Sequence, residues 1–300
     1  MNKLVVKETL RRLGLEVRRR GSAPGPTPAP PPVIDDVIEA LYRCRAGSPT
    51  AFTCSLDRCR SLYGLSYADD GWHAHCAAAL ELRQRPDTTY DTSILERFYR
   101  TWRPANASEV VIRFDDAPRV FADLPPYGFV PPWNPATPEE QIKKAQFWAY
   151  RDCIRLNHPV LNLSEHGHNQ YGPVSAERGV FELGRFARLM KRIVRDGYDR
   201  IEGDIRLRVI RIGTELLFIG ASGHHRRAVL HALGQKRITA VPQGAMIIDI
   251  ADVEHWPQVR SGLWSERQAR RYVDHLLEFN ALSWAREIGL ALPNVAHHRS

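Results

Sequence analysis

The chain has 300 residues, of which 43% are apolar, enough for one large domain or two ordinary ones with buried cores. Its net charge of +8 is uneven, because residues 1–20 carry seven cations and two anions and leave a net charge of only +3 on the other 280 residues. A near-neutral body lacks the electrostatic footprint of a nucleic-acid-binding domain, so nucleic acid is not expected as a partner. No apolar run approaches the roughly 18 residues of a membrane-spanning helix.

The expected compartment follows from the cysteines and the N-terminus. Five cysteines cannot all pair, which agrees with reduced thiols. Leu4–Val6 is followed at once by Lys7 and Glu8, which does not fit the apolar core of a signal peptide. A cytoplasmic protein is therefore expected.

Residues 1–32 predict a tether ahead of the folded part. Apolar residues recur there at helical spacing with arginines beside them (Val6, Leu10, Leu13 and Val17). Residues 21–32 are a Pro-rich linker. Three interpretations of residues 1–20 stay open: a helix on an anionic membrane surface, a helix docked on a protein partner, or a frayed, solvated terminus. The first would place the protein peripherally at the inner face of the membrane.

Residues 33–150 are predicted to form a mainly helical region. Thr92 or Ser93, with Glu96 close behind, provides a capping signal for one of its helices. Residues 103–138 are rich in proline and aromatics, and such a segment either covers a core or walls a substrate pocket. The four helical patterns cover residues 33–43, 72–82, 93–102 and 139–150, and Thr137 followed by Pro138 provides the start signal of the last one.

A group of cysteines and histidines in this region permits two interpretations. It comprises Cys54, Cys59, His73, His75 and Cys76. These residues could form a zinc site, but their spacing does not match that of a usual zinc finger. Structural cysteines with histidines on a helix face are the other interpretation.

Residues 151–260 are predicted to form a small mixed sheet with packed helices, and residues 261–300 a helical extension. Gly197 and Gly234 are predicted to end two of the helices. Ser265, three residues before Gln268, predicts a capping box for a helix that runs to residue 280. The other predicted elements are a helix over 181–195 and strands over 205–212, 216–219 and 247–253. Between the last two strands, a short helix has its apolar face at Ala228, Val229, Leu230 and Leu233, and a further strand ends at Val241-Pro242.

The most informative stretch is the turn between the second of these strands and the short helix. Residues 220–223, which include Ser222 and Gly223, are small enough to let the backbone turn and a ligand approach. The next four residues are His224, His225, Arg226 and Arg227. Cationic side chains and free backbone N–H groups therefore meet at one helix N-terminus, which suits a phosphate. A solvated helix start is the alternative interpretation.

The pattern G-x-H-R-x-A, followed by A-L-G and a strand ending in V-P, resembles the ParB/sulfiredoxin superfamily. The matching residues are Gly223, His225, Arg226, Ala228, Ala232, Leu233, Gly234, Val241 and Pro242. Upstream, the polar loop 167–175, a helix, a glycine and a strand pair follow in the same order as in ParB N-terminal-like domains. The resemblance covers about residues 151–250. The layout also resembles an uncharacterised branch associated with surface-polysaccharide or natural-product biosynthesis.

The resemblance implies an α+β fold whose turn holds the phosphates of ATP or another nucleotide, but the branches of the superfamily differ in activity. Sulfiredoxins have a reactive cysteine where this chain has His224, so sulfinic-acid repair is not expected. ParB clamp proteins have G-E-R-R at the turn and a later DNA-reading domain, for which the roughly 35 residues after Ser265 leave little room. Free-serine kinases transfer a nucleotide phosphate to a small hydroxyl group.

The leading expectation is phosphotransfer from a nucleotide to a small molecule or glycan precursor, with Mg²⁺ as counter-ion. The phosphates would be bound by Ser222, Gly223, His224, Arg226 and Arg227. His225 would support charge at the transferred group. Glu165 or His168 would act as base, and the acceptor would be bound by Asn169, Gln170 and Tyr171.

Several alternatives stay open. The protein could be a non-enzymatic nucleotide sensor or scaffold acting at a membrane through residues 1–20, or a DNA-binding protein or nuclease. Metal ligation by His166 and His168, and Mg²⁺ binding by Glu202 and Asp204, are weaker alternatives, because no spacing defines the partner ligands.

Overall fold

The computed structural model describes residues 29–200 and 203–291, and its described strands form one mixed six-stranded sheet. The predictions for residues 1–20 lie outside the described residues. The strands are β1 (Val33–Ile34), β2 (Ala51–Ser55), β3 (Cys59–Arg60), β4 (Ile205–Ile212), β5 (Glu215–Ser222) and β6 (Arg237–Asp249). Their order across the sheet is β1-β2-β6-β4-β5-β3. The predicted α+β class is therefore confirmed.

The helices cover much of the rest of the described chain. They are α1 (Val37–Arg45), α2 (Ala74–Gln84), α3 (Ile94–Thr101), α4 (Pro138–Arg155), α5 (Leu163–His166), α6 (Ala176–Asp196), α7 (His224–Ala232), α8 (Pro257–Arg260), α9 (Glu266–Glu278) and α10 (Ala281–Glu287). Among the described residues, no helix combines the length and the apolarity needed to cross a bilayer.

The capping signals located several helices correctly. Ser93 accepts a hydrogen bond from the Glu96 N–H and begins α3. Thr137 and Ser265 each form a complete capping box, so α4 and α9 begin directly after them. Gly197 ends α6 with φ of 79°, a backbone conformation that glycine adopts without steric cost.

Helices are the main regular structure of residues 33–150, as predicted. The prediction of a sheet confined to residues 151–260 was wrong, because β1, β2 and β3 belong to the same sheet as the later strands. Phe52 of β2 pairs with Ala240 of β6, and Cys59 of β3 pairs with Phe218 of β5. These strands are two to five residues long, too short to produce a clear alternating pattern. The first helix also begins later than predicted, because the Asp36 side chain accepts hydrogen bonds from two N–H groups of its first turn.

The strand predicted over residues 247–253 was wrong in its second half. Strand β6 ends at Asp249, and a 3₁₀ helix, Ile250–His255, follows. The Asp249 side chain accepts a hydrogen bond from the Ala251 N–H and so caps this helix.

The sheet is buried on both faces. On β5, Phe218 packs into one hydrophobic cluster, whereas its neighbours Leu217 and Ile219 pack into another, as the alternation of side chains along a strand requires. The first cluster contains residues of α2, α3, α6 and α7. The second contains residues of α9 and of the Pro/aromatic segment 103–138. Covering a core is therefore an observed role of that segment, and the compact unit 31–300 includes all segments predicted after residue 30.

Two glycines of α6 provide a matched test of how tightly this helix packs. A Cβ on the buried Gly179 would overlap the ring of Tyr90, whereas a Cβ on Gly184 would meet only the end of the Arg188 side chain at 3.2 Å. We expect Gly179→Ala to lower the free energy of unfolding by about 1–3 kcal/mol through overpacking. Gly184→Ala should raise it by about 0.5–1 kcal/mol through higher helix propensity.

Chemical denaturation monitored by circular dichroism measures both changes. Equal effects of the two substitutions would contradict the described packing of α6 against Tyr90.

Candidate functional site

The turn at the start of α7 is formed by a single residue between strand and helix. Gly223 has φ of 78°, in the left-handed region, and lies between Ser222, the last residue of β5, and His224, the first of α7. No side chain caps this helix start. The turn therefore presents backbone N–H groups at a position where many helices have an Asn, Asp, Ser or Thr side chain.

Arg227 does not lie at the surface of the turn. Its side chain is buried, and its guanidinium lies over the ring of Tyr67, 4.5 Å from the centroid. A Cβ on Gly220 would overlap this guanidinium, so the small residue at position 220 makes room for Arg227. From the sequence, the small residues 220–223 were expected to leave space for a ligand. At position 220 that space is occupied by the Arg227 side chain.

Arg226 extends to a different part of the molecule. Its guanidinium donates to the carbonyl groups of Gly203 and Asp204, just before β4. Partial burial lowers the pKa of Arg226, which stays protonated at neutral pH. The two arginines therefore do not converge on one point, and only Arg226 remains near enough to the surface to meet a ligand of the turn.

Three imidazole rings meet on the inner side of the turn. The rings of His224 and His225 are 4.2 Å apart between centroids. The ring of His75, from α2, lies 5.2 Å from that of His224 and is stacked on that of His225 at 5.9 Å. His73 extends the group, since its ring is 5.0 Å from that of His75. Sequence inspection had considered the histidines of α2 and of α7 separately.

A buried carboxylate on α6 anchors this group. The Nε2 atom of His225 lies 2.8 Å from Oε2 of Glu182, whose side chain is almost completely inaccessible to solvent. The guanidinium of Arg185 lies 3.2 Å from the Glu182 carboxylate and 3.0 Å from the carboxylate of Asp152. The guanidinium of Arg178 lies 3.6 Å from the Glu182 carboxylate. Arg155 also lies 3.5 Å from Asp152, so three arginines and two carboxylates form a charged network next to His225.

Burial keeps the histidines of this group uncharged. It lowers the pKa of His73, His224 and His225 well below 6.5 and that of His75 to about 4. Nearby positive charges, including those of neighbouring imidazoles, add to the effect. All four rings are therefore neutral at pH 7, with a lone pair on one nitrogen of each.

The polar loop 167–172 contacts the turn through Asn169. The carbonyl of Asn169 accepts hydrogen bonds from Nε2 of His75 at 3.1 Å and from the hydroxyl of Tyr99 at 2.8 Å. Its side-chain amide lies 3.5 Å from Nε2 of His224, and Gln170 donates to its Oδ1. The structure therefore brings two predicted site segments together, the loop and the turn.

The other predicted residues of this loop lie in varied surroundings. His168 stacks on Tyr171 at 4.9 Å, and burial lowers its pKa to about 4. Tyr171 is buried in the second hydrophobic cluster. Glu165 is 72% exposed on α5, 3.9 Å from His166, so among the described residues it has no partner at the turn.

In the part of the chain that the structure describes, neither the cysteine–histidine group nor His166 with His168 belongs to a group of three potential ligands, and Glu202 lies outside the described residues. Nδ1 of His166 lies 2.9 Å from the hydroxyl of Ser175, and Asp204 is paired with Arg200. The thiols of Cys54 and Cys59 interact with each other, apart from the histidines of α2. The one group of three potential ligands found within the described ranges is Glu182, His224 and His225.

Two clefts of about 460 Å³ and 360 Å³ lie elsewhere on the molecule. The larger is between the segment 118–120 and residues 261–268, and the smaller is between the end of α6, the end of α7 and the start of β6. Neither includes a residue of the turn or of the loop 167–172.

Sequence reasoning missed Glu182 and its arginine partners. A signal was present, because Arg178, Glu182 and Arg185 recur at helical spacing beside the apolar residues Phe181 and Phe186. Charged residues on the core-facing side of a helix require buried partners. Comparison with models of protein families, with curated proteins and with solved structures gave no match.

The neutral state of His73 predicts how stability depends on pH. Because burial keeps its folded-state pKa well below 6.5, only the unfolded chain gains a proton at this residue as the pH falls through 6.5. The contribution of neutral His73 to the free energy of unfolding is therefore fully present above pH 6.5 and falls by about 1.4 kcal/mol between pH 7.5 and 5.5.

His73→Asn keeps an acceptor for the His75 N–H, which Nδ1 of His73 now binds at 3.1 Å, and should reduce the pH dependence by that amount. Denaturant titrations at several pH values measure this change. His255→Asn, at an exposed position, controls for the loss of a histidine. An unchanged pH dependence in His73→Asn would contradict the described burial.

Proposed function

We propose that this protein belongs to the ParB/sulfiredoxin superfamily and binds a nucleotide at the N-terminus of α7. The order of its elements supports the proposal: the loop 167–172, α6 ending at Gly197, the strand pair β4–β5, the one-residue turn and then α7 and β6. The observation that carries it is the contact between Asn169 and His224, which joins the two segments predicted to hold the acceptor and the phosphates.

The turn has features that suit a phosphate. The helix start has no side-chain cap, so the N–H groups of the first turn can bind phosphate oxygens in the positive field of the helix. Arg226 lies in the same turn, and a guanidinium has five donors, so contacts with two carbonyl groups leave donors for a ligand. Arg227 is not part of this proposal, because it is buried against Tyr67.

The proposed reaction is transfer of the terminal phosphate of the nucleotide to a hydroxyl group of a small molecule or glycan precursor. Asn169 and Gln170 would orient the acceptor beside the turn. His168, one of the two bases predicted from sequence, lies in the same loop, and burial keeps its imidazole neutral. Its Nδ1 accepts a hydrogen bond from the Gln170 N–H at 3.3 Å, so accepting a proton there requires that hydrogen bond to open.

Mg²⁺, expected from the chemistry of phosphotransfer, does not fit the ligand set found here. It prefers six oxygen ligands, whereas the three-residue group beside the turn offers two nitrogen atoms and one carboxylate. The Asp204 carboxylate is paired with Arg200. If Mg²⁺ takes part, it would be bound mainly by the phosphates of the nucleotide.

The alternative is a nucleotide sensor without turnover. It shares the same binding site, and no feature of the described residues favours it over catalysis. Binding of a nucleotide without transfer to any hydroxyl acceptor would identify it.

Calorimetric titration with ATP, GTP and CTP tests the binding site. We expect Arg226→Ala to weaken nucleotide binding roughly 10- to 100-fold, because a charge-assisted hydrogen bond to phosphate is lost. Arg200→Ala is the matched control, since Arg200 also holds the segment 203–204 but does not lie in α7.

If Arg226→Ala and Arg200→Ala weaken binding equally, the effect comes from loosening of that segment and the proposed role of Arg226 is wrong. If none of the three nucleotides binds to the folded protein, the proposal of a nucleotide site fails.

Substitution of Asn169 tests the acceptor side. Asn169→Ala removes the side chain but keeps the backbone carbonyl that His75 and Tyr99 contact. We expect transfer of labelled phosphate to fall at least about 10-fold, with nucleotide affinity changed less than about threefold, because the amide would orient the acceptor and not the phosphates. A parallel loss of nucleotide affinity would contradict this division of roles.

A further inference from the structure

We propose that Glu182, His224 and His225 form a binding site for one divalent transition-metal ion of the zinc class, between α6 and the start of α7. The ligand atoms of the three residues all lie within 4.8 Å of one another. The proposal does not require nucleotide binding, because its ligands are side chains and not the N–H groups of the turn, but it shares His224 with the contact to Asn169.

The distances are compatible with metal coordination after a small adjustment. Zinc bonds to imidazole nitrogen and carboxylate oxygen are about 2.0–2.2 Å long, so two ligand atoms of a tetrahedral site are about 3.3 Å apart. His225 Nε2 and Glu182 Oε2 are 2.8 Å apart, slightly closer than this edge. The ligand atoms of the three residues are at most 4.8 Å apart, so the ligand nitrogen of His224 would move toward the other two ligand atoms by about 1.5 Å at most.

The side chains of His224 and His225, which are neighbours in a helix, both approach the same carboxylate, and this is unusual. Consecutive helical residues are rotated by about 100° and do not normally face each other. Here the rings of His224 and His225 are 4.2 Å apart, and a ligand atom of each lies near the same carboxylate. The pairing with Glu182 accounts for the direction of His225, and the ring of His224 contacts the ring of His75 and the side-chain amide of Asn169.

The surroundings would hold the ligands in place. Arg185 contacts both oxygens of the Glu182 carboxylate, at 3.2 and 3.3 Å, and Nε2 of His225 lies 2.8 Å from Oε2. The ring of His75 stacks on His225 with an angle of 8° between their planes and so supports the orientation of that ring. Contacts of this kind, beyond the ligands themselves, orient metal-binding side chains in many proteins.

The ligand set identifies the class of metal. Two imidazoles and one carboxylate suit zinc and its divalent first-row neighbours, whereas magnesium and calcium prefer oxygen ligands. Three protein ligands leave at least one coordination position open. Arg155, Arg178 and Arg185 outnumber the carboxylates of Glu182 and Asp152 in this network. The ion would add two further positive charges, so we expect an anion or hydroxide in that position.

Metal titration of the untagged full-length protein, without nucleotide, tests the site. Zn²⁺ binding is measured by calorimetry, and Co²⁺ is used as a probe whose visible absorption reports tetrahedral coordination. We expect one Zn²⁺ per chain, a Co²⁺ band between about 500 and 700 nm, and a higher melting temperature with either ion.

His224→Ala should lower the affinity for Zn²⁺ at least about 10-fold and remove the Co²⁺ band. His224 is only half-buried, so this variant should fold. His255→Asn, which also removes one histidine but is exposed and far from α6 in the sequence, should bind Zn²⁺ like the unchanged protein. Glu182→Gln, with circular dichroism to verify its fold, provides a second test.

The proposal fails if the folded protein binds neither ion, or if His224→Ala binds both as well as the unchanged protein does. It is distinguishable from the proposed function, because Arg226→Ala should lose nucleotide affinity and keep the metal. Retention of nucleotide binding by a protein that binds no metal would overturn this inference and leave the proposed function intact.

Discussion

The pairing of the Glu182 carboxylate inside the protein is the constraint on which the arrangement of the site depends. An ionised carboxylate buried to this extent is costly unless it is hydrogen-bonded and its charge is balanced. Arg178 and Arg185 supply the charge from the same helix, and His225 supplies a hydrogen bond from α7. Because these contacts connect α6 to the first turn of α7, they determine the side of the turn to which the histidines point.

The same turn separates residues that are adjacent in the chain. Arg226 reaches the segment before β4, whereas Arg227 lies beside Gly220 with its guanidinium against the ring of Tyr67. The outer side of the turn is thus left with backbone N–H groups and one arginine, and its inner side with neutral imidazoles. This division allows a phosphate ligand and a metal ion to be considered at opposite sides of one helix start.

Burial of the sheet on both faces explains the long Pro/aromatic segment. One face is covered by helices of ordinary amphipathic pattern, and the other by residues 103–138 together with α9. Trp264, for example, donates from its indole nitrogen to the carbonyl of Val130 at 3.0 Å, so the buried tryptophan is satisfied by this irregular segment. This segment contains three short 3₁₀ helices, Ala107–Glu109, Arg119–Asp123 and Pro126–Gly128, and its prolines require no partner for a backbone donor.

The sequence by itself determined the helix starts at Ser93, Thr137 and Ser265, the strands β4 and β5, and the turn at Gly223, because capping, periodicity and turn formation act over a few residues. Only the tertiary structure decided that β2 pairs with β6 and that Glu182 pairs with His225, 43 residues later in the chain. It also decided that Arg226 and Arg227, which are neighbours in the chain, contact different parts of the molecule. Such contacts depend on which elements bury their apolar faces together, and a local pattern of residues does not contain that information.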